Sequence, residues 1–264
     1  MVNLPPQTAR SKNKQAGLNP HATTYLVKLT ENNQVYESTL VQRVSPPTSV
    51  SELMQRVEAI AGTTLGELAA QFQFKSPEDL LKEKGWPGQL IEHVLGASAG
   101  SKPVPDFEQI GVELKTLPIS YQGKPLETTY VSIVPLTELT GLTWQQSSVK
   151  KKLSHVLWLP ILAERDIAPV DRTIGTGFLW QPSFEQEAQL RRDWEEQIEL
   201  IALGRIQEIS GHLGEVMQIR PKAANSKVLT DAIGPDGGLI KTLPRGFYLK
   251  TQFTQSILLD HFSN

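Results

Sequence analysis

The amino-acid sequence predicts an α/β fold in which a mixed central β-sheet is flanked by helices. From residue 50 onward apolar residues recur at helical spacing, and from residue 112 the pattern changes to alternation with a period of two. Further extended and helical segments follow one another to the C-terminus. Because strands and helices alternate along one chain, we expect helices to cover a sheet that combines parallel and antiparallel strands.

The first 46 residues differ in composition from the remainder of the chain. They are rich in Asn, Gln, Thr, Pro and Lys, and residues 24–41 predict a weak hairpin around Glu31-Asn32-Asn33. The step Ser45-Pro46-Pro47 is a natural boundary, since consecutive prolines interrupt regular structure. We therefore predict an N-terminal extension over residues 1–46, disordered or a weak hairpin, and a folded domain over residues 47–264.

The domain is predicted to begin with helices. Two of them follow apolar residues at helical spacing, namely Leu53, Val57 and Ile60, then Leu65, Leu68 and Phe72. A third begins at Ser76, an N-cap residue followed by Pro77, and ends at Gly85. A turn over residues 86–88 leads to a helix over 89–95, and residues 96–100 form a flexible connection.

The second part of the domain is predicted to alternate between strands and helices. Strands are predicted at residues 112–117, 126–136, 155–162, 176–180, 216–220 and 246–250, with a turn at 121–124. Helices are predicted at residues 184–209 and 225–233 and at the C-terminus, with a Gly-rich turn over 234–238.

Composition excludes several classes of protein. The longest apolar run, Val156 to Ala163, is interrupted by Pro160 and is far shorter than the roughly 20 residues of a membrane helix. The basic N-terminus is not followed by an apolar segment, so we expect no secretory signal. The chain has no cysteine and hence neither disulfides nor a thiolate metal site. We expect a cytoplasmic protein that does not act at a membrane.

The formal net charge of −2 conceals an uneven distribution of charge. Residues 185–199 hold six acids against two arginines, whereas residues 216–264 hold six bases against three acids. A local excess of basic residues is sufficient for a face that binds phosphate groups.

The segment over residues 105–115 carries the candidate chemistry. On a strand, Glu113 and Lys115 share one face, and Asp106 lies a short turn upstream. Two carboxylates provide the hard oxygen ligands that Mg²⁺ prefers, and Mn²⁺ or Ca²⁺ could occupy the same site. The metal would activate water and Lys115 would orient it, which together suit phosphodiester hydrolysis. Spacing alone leaves an alternative, a salt bridge at a strand edge.

Two further segments could contribute to this site. Glu92 lies in a predicted helix, where it is either a surface acid or another carboxylate beside the metal. The run Lys150-Lys151-Lys152 is either solvated or in contact with the scissile phosphate or the DNA backbone. The histidines show no paired ligand spacing, and no phosphate-binding loop is present.

The basic C-terminal part holds candidate DNA contacts. Arg220 is suited to a bidentate contact with guanine and Lys222 to a phosphate, although both could belong to an ordinary basic loop. Alternation places Tyr248 and Lys250 on one face of a strand. Tyr248 then either packs at the rim of the core or contacts a groove of DNA.

Several segments, taken together, resemble the MutH family of DNA mismatch repair proteins. They follow one another in the family's order over about residues 50–262, and the resemblance does not extend to residues 1–46. The matching segments are residues 64–69, 84–86, 95–103, 106–116, 125–129, 156–158, 193–196, 218–225 and 243–250.

The resemblance implies a fold, an activity and partners. The fold would be that of type II restriction endonucleases, with two arms around a DNA cleft. The activity would be nicking of the unmethylated strand at hemimethylated GATC sites, on the 5′ side of the guanine. The enzyme would be a monomer, weakly active alone and activated by MutL after MutS finds a mismatch.

The resemblance also assigns roles to residues at matching positions. Asp106 and Glu113 would bind the metal with the Leu114 carbonyl, and Lys115 would assist the attacking water. Glu92 and Lys152 would lie near the active site. In the DNA interface, Arg220 and Pro221 would read bases, Tyr248 would sense the adenine methyl group, and Lys84 would approach the backbone.

Two alternatives remain open at this point. A restriction-type GATC endonuclease would cut both strands of unmethylated DNA without a partner protein. A non-catalytic DNA-binding module would keep the basic contacts but would not bind the metal. The presence of Asp106, Glu113 and Lys115 together argues against such a module.

Overall fold

A computed structural model describes residues 22–23, 26–31, 34–39, 43–76, 85–100, 102–223 and 225–263. The first four strands are β1 (Ala22–Thr23), β2 (Leu26–Glu31), β3 (Gln34–Thr39) and β4 (Arg43–Val44). β2 pairs antiparallel with β3, within the segment for which a hairpin was predicted, and β1 pairs with β4. The domain boundary at residue 46 stays a prediction.

Over the described residues 43–76 and 85–100, three α-helices follow, each with an N-terminus that its sequence explains. They are α1 (Val50–Ile60), α2 (Leu65–Gln71) and α3 (Trp86–Leu95). The Ser49 side chain caps α1, and Thr64 caps α2 through a reciprocal capping box with Glu67. The helix predicted to start at Ser76 falls on residues 77–84, outside the described part of the chain.

The turn predicted over residues 86–88 is wrong. These residues form the first turn of α3, since Pro87 occupies a position where a helix needs no N–H donor. α3 ends at Gly96, whose φ of 83° is readily adopted only by glycine.

From residue 102 onward, the described part of the chain forms eight further strands and three further α-helices. The strands are β5 (Glu113–Ile119), β6 (Thr129–Ile133), β7 (Val156–Leu162), β8 (Phe178–Trp180), β9 (Met217–Pro221), β10 (Thr230–Ile233), β11 (Leu239–Thr242) and β12 (Arg245–Leu249). The helices are α4 (Ser148–Leu153), α5 (Phe184–Ala202) and α6 (Thr251–Phe262).

The strands form small sheets instead of one continuous sheet. In the mixed sheet β5-β7-β8, β5 is parallel to β7 and β7 is antiparallel to β8. A second sheet, β6-β12-β9, is entirely antiparallel, with β12 in the middle. The predicted α/β fold with a mixed sheet flanked by helices is thus confirmed, while its strands are divided among several sheets.

Two hydrophobic cores lie on opposite faces of the β5-β7 pair. Leu114 and Leu157 pack into a core with α1, α2 and α3. Leu117 and Trp158 pack into the other core, with α5, α6 and the second sheet. The pair is buried on both faces, as expected for parallel strands.

Two predicted helices differ from the structure. The helix predicted over residues 184–209 ends at Ala202, because Gly204 has a φ of 73° and its α-carbon lies too close to the Gly234 carbonyl for a side chain. The helix predicted over 225–233 is wrong, since β10 pairs there with β11 across the glycine-rich turn. Apolar residues at 228, 229 and 232–233 fit either period, and pairing with β11 decided in favour of a strand.

A buried aspartate ties α5 to the start of β9. The Asp193 carboxylate accepts hydrogen bonds from the backbone N–H groups of Glu215, Val216 and Met217 at 2.7–2.8 Å. Three charge-assisted hydrogen bonds hold the chain in place just before β9 begins. Among the described residues, no helix is long and apolar enough to cross a membrane.

Candidate active site and DNA-binding groove

A short turn brings Asp106 back to the start of β5. Phe107 and Val112 pair through their backbones across a 3₁₀ turn, and Gly111 supplies the positive φ of 65° that closes it. As a result, the Leu114 N–H donates to Asp106 Oδ2 at 2.9 Å. The other carboxylate oxygen of Asp106 is left for a ligand, so the turn predicted from the sequence returns this side chain to the strand.

Glu113 is a buried carboxylate in contact with two ammonium groups. Its side chain is 1% exposed, and it accepts hydrogen bonds from Lys115 and from Lys152. The Lys152 Nζ lies 2.9 Å from both carboxylate oxygens. The contact between Glu113 and Lys115 follows from their alternation on β5, as predicted, whereas Lys152 arrives from α4, 39 residues away.

The three lysines of α4 have three different environments. Lys150 forms an ion pair with Glu187 on α5, Lys151 is exposed, and Lys152 points to Glu113. Helical geometry separates neighbouring side chains by about 100° around the axis, so only one of the three enters the site. The run is therefore neither wholly solvated nor wholly part of the site.

Burial and neighbouring carboxylates raise the pKa of Glu92 and of Asp106. Burial, the Asp106 charge and the Glu113 charge raise the pKa of Glu92 to about 7, against the opposing effect of Lys115 and Lys152. Burial and the Glu113 charge also raise the pKa of Asp106. Glu92 is therefore a partly buried acid beside the cluster, and the interpretation as a solvated surface acid does not hold.

The donor set fits a hard divalent cation. Asp106 and Glu113 offer carboxylate oxygens, and Leu114, with its backbone carbonyl, directly follows Glu113 in the chain. Within the described ranges, no three His, Asp or Glu side chains lie close enough to form a metal cage by themselves. Two carboxylates are nevertheless an ordinary protein contribution to a Mg²⁺ site, where water and substrate phosphate supply the remaining ligands.

A groove of about 500 Å³ lies between Lys115, which contacts Glu113, and the second sheet. Glu92 and Lys115 line one end. Residues of β9 and β12 that the sequence singled out line the other end, namely Arg220, Pro221, Lys222 and Tyr248. Burial and, to a smaller extent, the Lys115 charge lower the pKa of Lys222.

Cations and aromatic rings interleave along the second sheet. The Lys222 Nζ lies 3.7 Å from the centroid of the Tyr130 ring, and the Arg220 guanidinium carbon lies 5.8 Å from that of Tyr248. The two tyrosine rings meet edge to face, with centroids 5.4 Å apart. Both distances between cation and ring are within the range of cation–π contacts.

Tyr248 lies at the boundary between the core and the groove. Phe247 and Leu249 are fully buried in the core, while Tyr248 is half-buried and lines the groove. Lys250 follows the end of β12 and donates to the Gly214 carbonyl at 2.5 Å, away from the groove. Lys84, predicted to approach the DNA backbone, lies outside the described residues.

Sequence reasoning missed several residues that line the groove. Thr128 and Tyr130 extend into it from the start of β6, and Gly246 leaves room for the two tyrosine rings. A strand was predicted over residues 126–136, but nothing in the sequence showed which strand lies beside it.

Comparisons with known proteins agree with this site. A family model described as DNA mismatch repair enzyme MutH matches residues 95–193, which include Asp106, Glu113 and Lys115. The chain is 55% identical over 217 residues to the DNA mismatch repair protein MutH of Vibrio cholerae, covering 82% of this chain and 98% of that protein. It is 56% identical over 218 residues to the protein of the same name from Yersinia enterocolitica, covering 83% and 96%.

The fold, the site and these matches together define a DNA mismatch repair enzyme. The chain belongs to the MutH family, and the resemblance seen in its sequence is confirmed. Its mixed α/β architecture is that of a restriction-endonuclease-like protein.

Proposed function

We propose that the protein is a Mg²⁺-dependent endonuclease that nicks the unmethylated strand of DNA at hemimethylated GATC sites. The observation that carries the proposal is the groove that Glu92 and Lys115, beside the buried carboxylates, share with the cations of the second sheet. Such a groove would place a phosphodiester at one end while base edges are read at the other. The two arms around DNA implied by the resemblance would be the parts on either side of this groove.

At the catalytic end, Asp106, Glu113 and the Leu114 carbonyl would hold the cation, and Mn²⁺ or Ca²⁺ could occupy the same site. When bound, Mg²⁺ supplies positive charge to the phosphate and lowers the pKa of bound water. Lys115 would donate to the attacking water and stabilise negative charge that develops on the phosphate. Lys152 would hold the Glu113 carboxylate in place, and Glu92 would add a further acid at the same end.

At the reading end, Arg220 would donate two hydrogen bonds to the guanine edge, and Pro221 would contact a base beside it. Lys222 would bind a phosphate, as would Lys84. Tyr248 would lie against the adenine, where an added methyl group would be excluded. The single cluster of Asp106, Glu113 and Lys115 would account for a single nick per binding event.

The proposed partners are double-stranded DNA bearing GATC, MutL directly and MutS through MutL. The protein would act as a cytoplasmic monomer with low activity of its own. These properties come from the family resemblance, and DNA mismatch repair is what the relatives' names state.

The decisive test is a nicking assay on three plasmids whose GATC sites are unmethylated, hemimethylated or fully methylated. With Mg²⁺, we expect nicks in the unmethylated strand, none in fully methylated DNA, no activity in EDTA, and stimulation by MutL with ATP. Equal nicking of all three plasmids would refute methyl sensing. Efficient cutting of both strands without MutL would indicate a restriction enzyme, and binding without nicking would indicate a non-catalytic module.

A lysine variant tests the chemistry separately from DNA binding. We expect Lys115→Ala to lower nicking by about 10²–10³-fold, because a donor to the transition state is lost. Binding to GATC duplex in Ca²⁺ should be largely unchanged. Lys124→Ala, at an exposed lysine in the turn after β5, is the matched control and should nick normally. Normal nicking by Lys115→Ala would show that the assigned mechanism is wrong.

A further inference from the structure

Arg220 is an exposed arginine whose guanidinium is nevertheless held in one place. Its Nη1 donates to the Thr128 hydroxyl at 2.9 Å, and its guanidinium carbon lies 5.8 Å from the centre of the Tyr248 ring. The hydroxyl and the ring thus restrict the direction and the plane of a side chain that would otherwise sample many rotamers.

The contact between Arg220 and Thr128 crosses the whole second sheet. Thr128 directly precedes β6 at one edge, and Arg220 lies on β9 at the other, 92 residues apart in the chain. The strand between them, β12, carries Gly246 opposite Arg220. Because Gly246 has no side chain, Tyr130, Tyr248 and Lys222 can approach β12 closely at this point.

A second contact between a cation and a side chain of the opposite edge lies two residues further along the chain. Lys222 lies over the Tyr130 ring at 3.7 Å, as Arg220 meets Thr128. Thr128 and Tyr130, at the β6 edge, thus contact Arg220 and Lys222, at the β9 edge. A threonine suits the first position, since its β-branched side chain is stiff and its hydroxyl accepts a hydrogen bond.

We propose that Thr128 is a positioning residue for Arg220 and, through it, a determinant of guanine specificity. The inference rests on the proposed function in that Arg220 must read a base. A guanidinium has five N–H donors, so the bond from Nη1 to Thr128 leaves donors for the O6 and N7 acceptors of guanine. Thr128 would act before DNA binds, by reducing the number of orientations that Arg220 has to abandon.

The experiment compares nicking of a hemimethylated GATC duplex with that of the same duplex containing 7-deazaguanine, which lacks the N7 acceptor. We expect Thr128→Val to lower kcat/KM on guanine by about three- to tenfold, the effect of one net hydrogen bond. On 7-deazaguanine the loss should be smaller, so discrimination between the two duplexes falls. Thr128→Ser, which keeps the hydroxyl, should restore discrimination.

Two controls separate positioning from a structural role. Thr140→Val makes the same chemical change at an exposed threonine outside the groove and should leave discrimination unchanged. In an Arg220→Ala background, Thr128→Val should have no further effect, because the side chain it holds is gone. A parallel thermal unfolding curve reports whether Thr128→Val perturbs folding.

Different failures have different meanings. The role of Thr128 would be overturned if Thr128→Val lowered kcat/KM equally on both duplexes or did not lower it at all. It would also be overturned if Thr128→Val had its full effect in the Arg220→Ala background. If the unaltered protein does not nick GATC, or nicks guanine and 7-deazaguanine duplexes equally, the proposed function of Arg220 fails first.

Discussion

Glu113 illustrates how burial determines the role of a single residue. A carboxylate that is 1% exposed requires charged partners, and Lys115 and Lys152 provide them. The two lysines differ in origin, since one shares a strand with Glu113 and the other belongs to a helix. This difference allows them to be tested separately.

A pair of neighbouring lysine substitutions tests the role of α4. We expect Lys152→Ala to reduce nicking by about 100-fold or more, because Glu113 loses the ammonium group that contacts both of its oxygens. The free energy of unfolding should fall by about 1–3 kcal/mol, since a buried carboxylate loses a hydrogen-bond partner. Lys151→Ala, at the exposed neighbour, should change neither quantity. Equal effects of the two variants, measured by nicking and by urea denaturation, would contradict the assignment.

Gly246 is a second residue whose role follows from its surroundings. A Cβ at this position would lie 2.9 Å from Tyr130 Cε2, 3.1 Å from Tyr248 Cε2 and 3.3 Å from Lys222 Cδ. The two tyrosines and the lysine therefore converge on a place where only a glycine leaves enough room.

Gly246→Ala should displace the two rings while the protein remains folded. We expect the free energy of unfolding to change by no more than about 1–3 kcal/mol, the usual effect of overpacking. Discrimination between hemimethylated and fully methylated GATC should fall, because Tyr248 loses its position. Gly238→Ala is the control, since the nearest atom to its Cβ would be the Asp236 carboxylate at 3.3 Å. Unchanged discrimination in Gly246→Ala would separate Tyr248 from methyl sensing.

At the scale of elements, the N-terminus of α1 connects three parts of the chain. Glu52 accepts hydrogen bonds from the Thr48 backbone and side chain at 2.8 Å and forms an ion pair with Arg56 at 2.5 Å. Arg56 in turn donates to the carbonyls of Ser45 and Leu95. Through Arg56, the cap of α1 also holds the end of α3, the helix that carries Glu92.

The cap of α1 should contribute to acid sensitivity. Hydrogen bonds from Thr48, followed by contact with Arg56, lower the pKa of Glu52 to about 2. A folded-state pKa below that of the unfolded chain stabilises the fold above about pH 4.5, and this stabilisation disappears as the pH falls towards 2. The difference in unfolding free energy between the protein and Glu52→Gln should thus be constant from pH 7 to 5 and shrink below pH 4.5.

Chemical denaturation at pH 7, 5, 4 and 3 would measure this dependence. Glu58→Gln, an exposed acid on the same helix, serves as the control and should follow the unaltered protein at every pH. A difference that grows on acidification would contradict the assigned direction.

Predictions of elements succeeded where local signals were sufficient. α1 and α2 lie where apolar spacing indicated helices, and β5, β7 and β12 lie where alternation or apolar runs indicated strands. The error at residues 225–233 arose because a short apolar segment fits both the helical spacing and the alternation of a strand. Only pairing with β11 determined its conformation.

At the scale of the whole molecule, the groove lies between two sheets. One side is lined by residues of β5, which belongs to the strand pair that is buried on both faces. The net charge of the chain is −2, yet several basic side chains line the groove. The electrostatic contribution to DNA binding should therefore come from few residues.

Salt dependence tests that expectation. We expect Lys222→Ala to weaken binding similarly for all sequences and to reduce the slope of log K against log salt concentration by about 1, as for the loss of one phosphate contact. Arg220→Ala should instead relax the preference for GATC over a site with the guanine replaced. Fluorescence anisotropy in Ca²⁺ at several salt concentrations measures both the salt dependence of binding and the preference for GATC. The two assignments would be reversed if Lys222→Ala weakened binding to GATC alone and Arg220→Ala weakened binding to all sequences equally.

The sequence by itself determined the chemical groups of the site and part of their geometry. Alternation put Glu113 and Lys115 on one face, and the short segment after Asp106 returned this residue to β5, because both relations involve neighbours in the chain. Helix caps and apolar spacing determined most elements for the same reason.

Only the tertiary structure decided which distant residues complete the site. Lys152 reaches Glu113 across 39 residues, and Thr128 reaches Arg220 across 92 residues and an intervening strand. Such contacts depend on the order of strands in a sheet and on how helices pack over it. These are properties of the whole chain, and no local pattern of residue types encodes them.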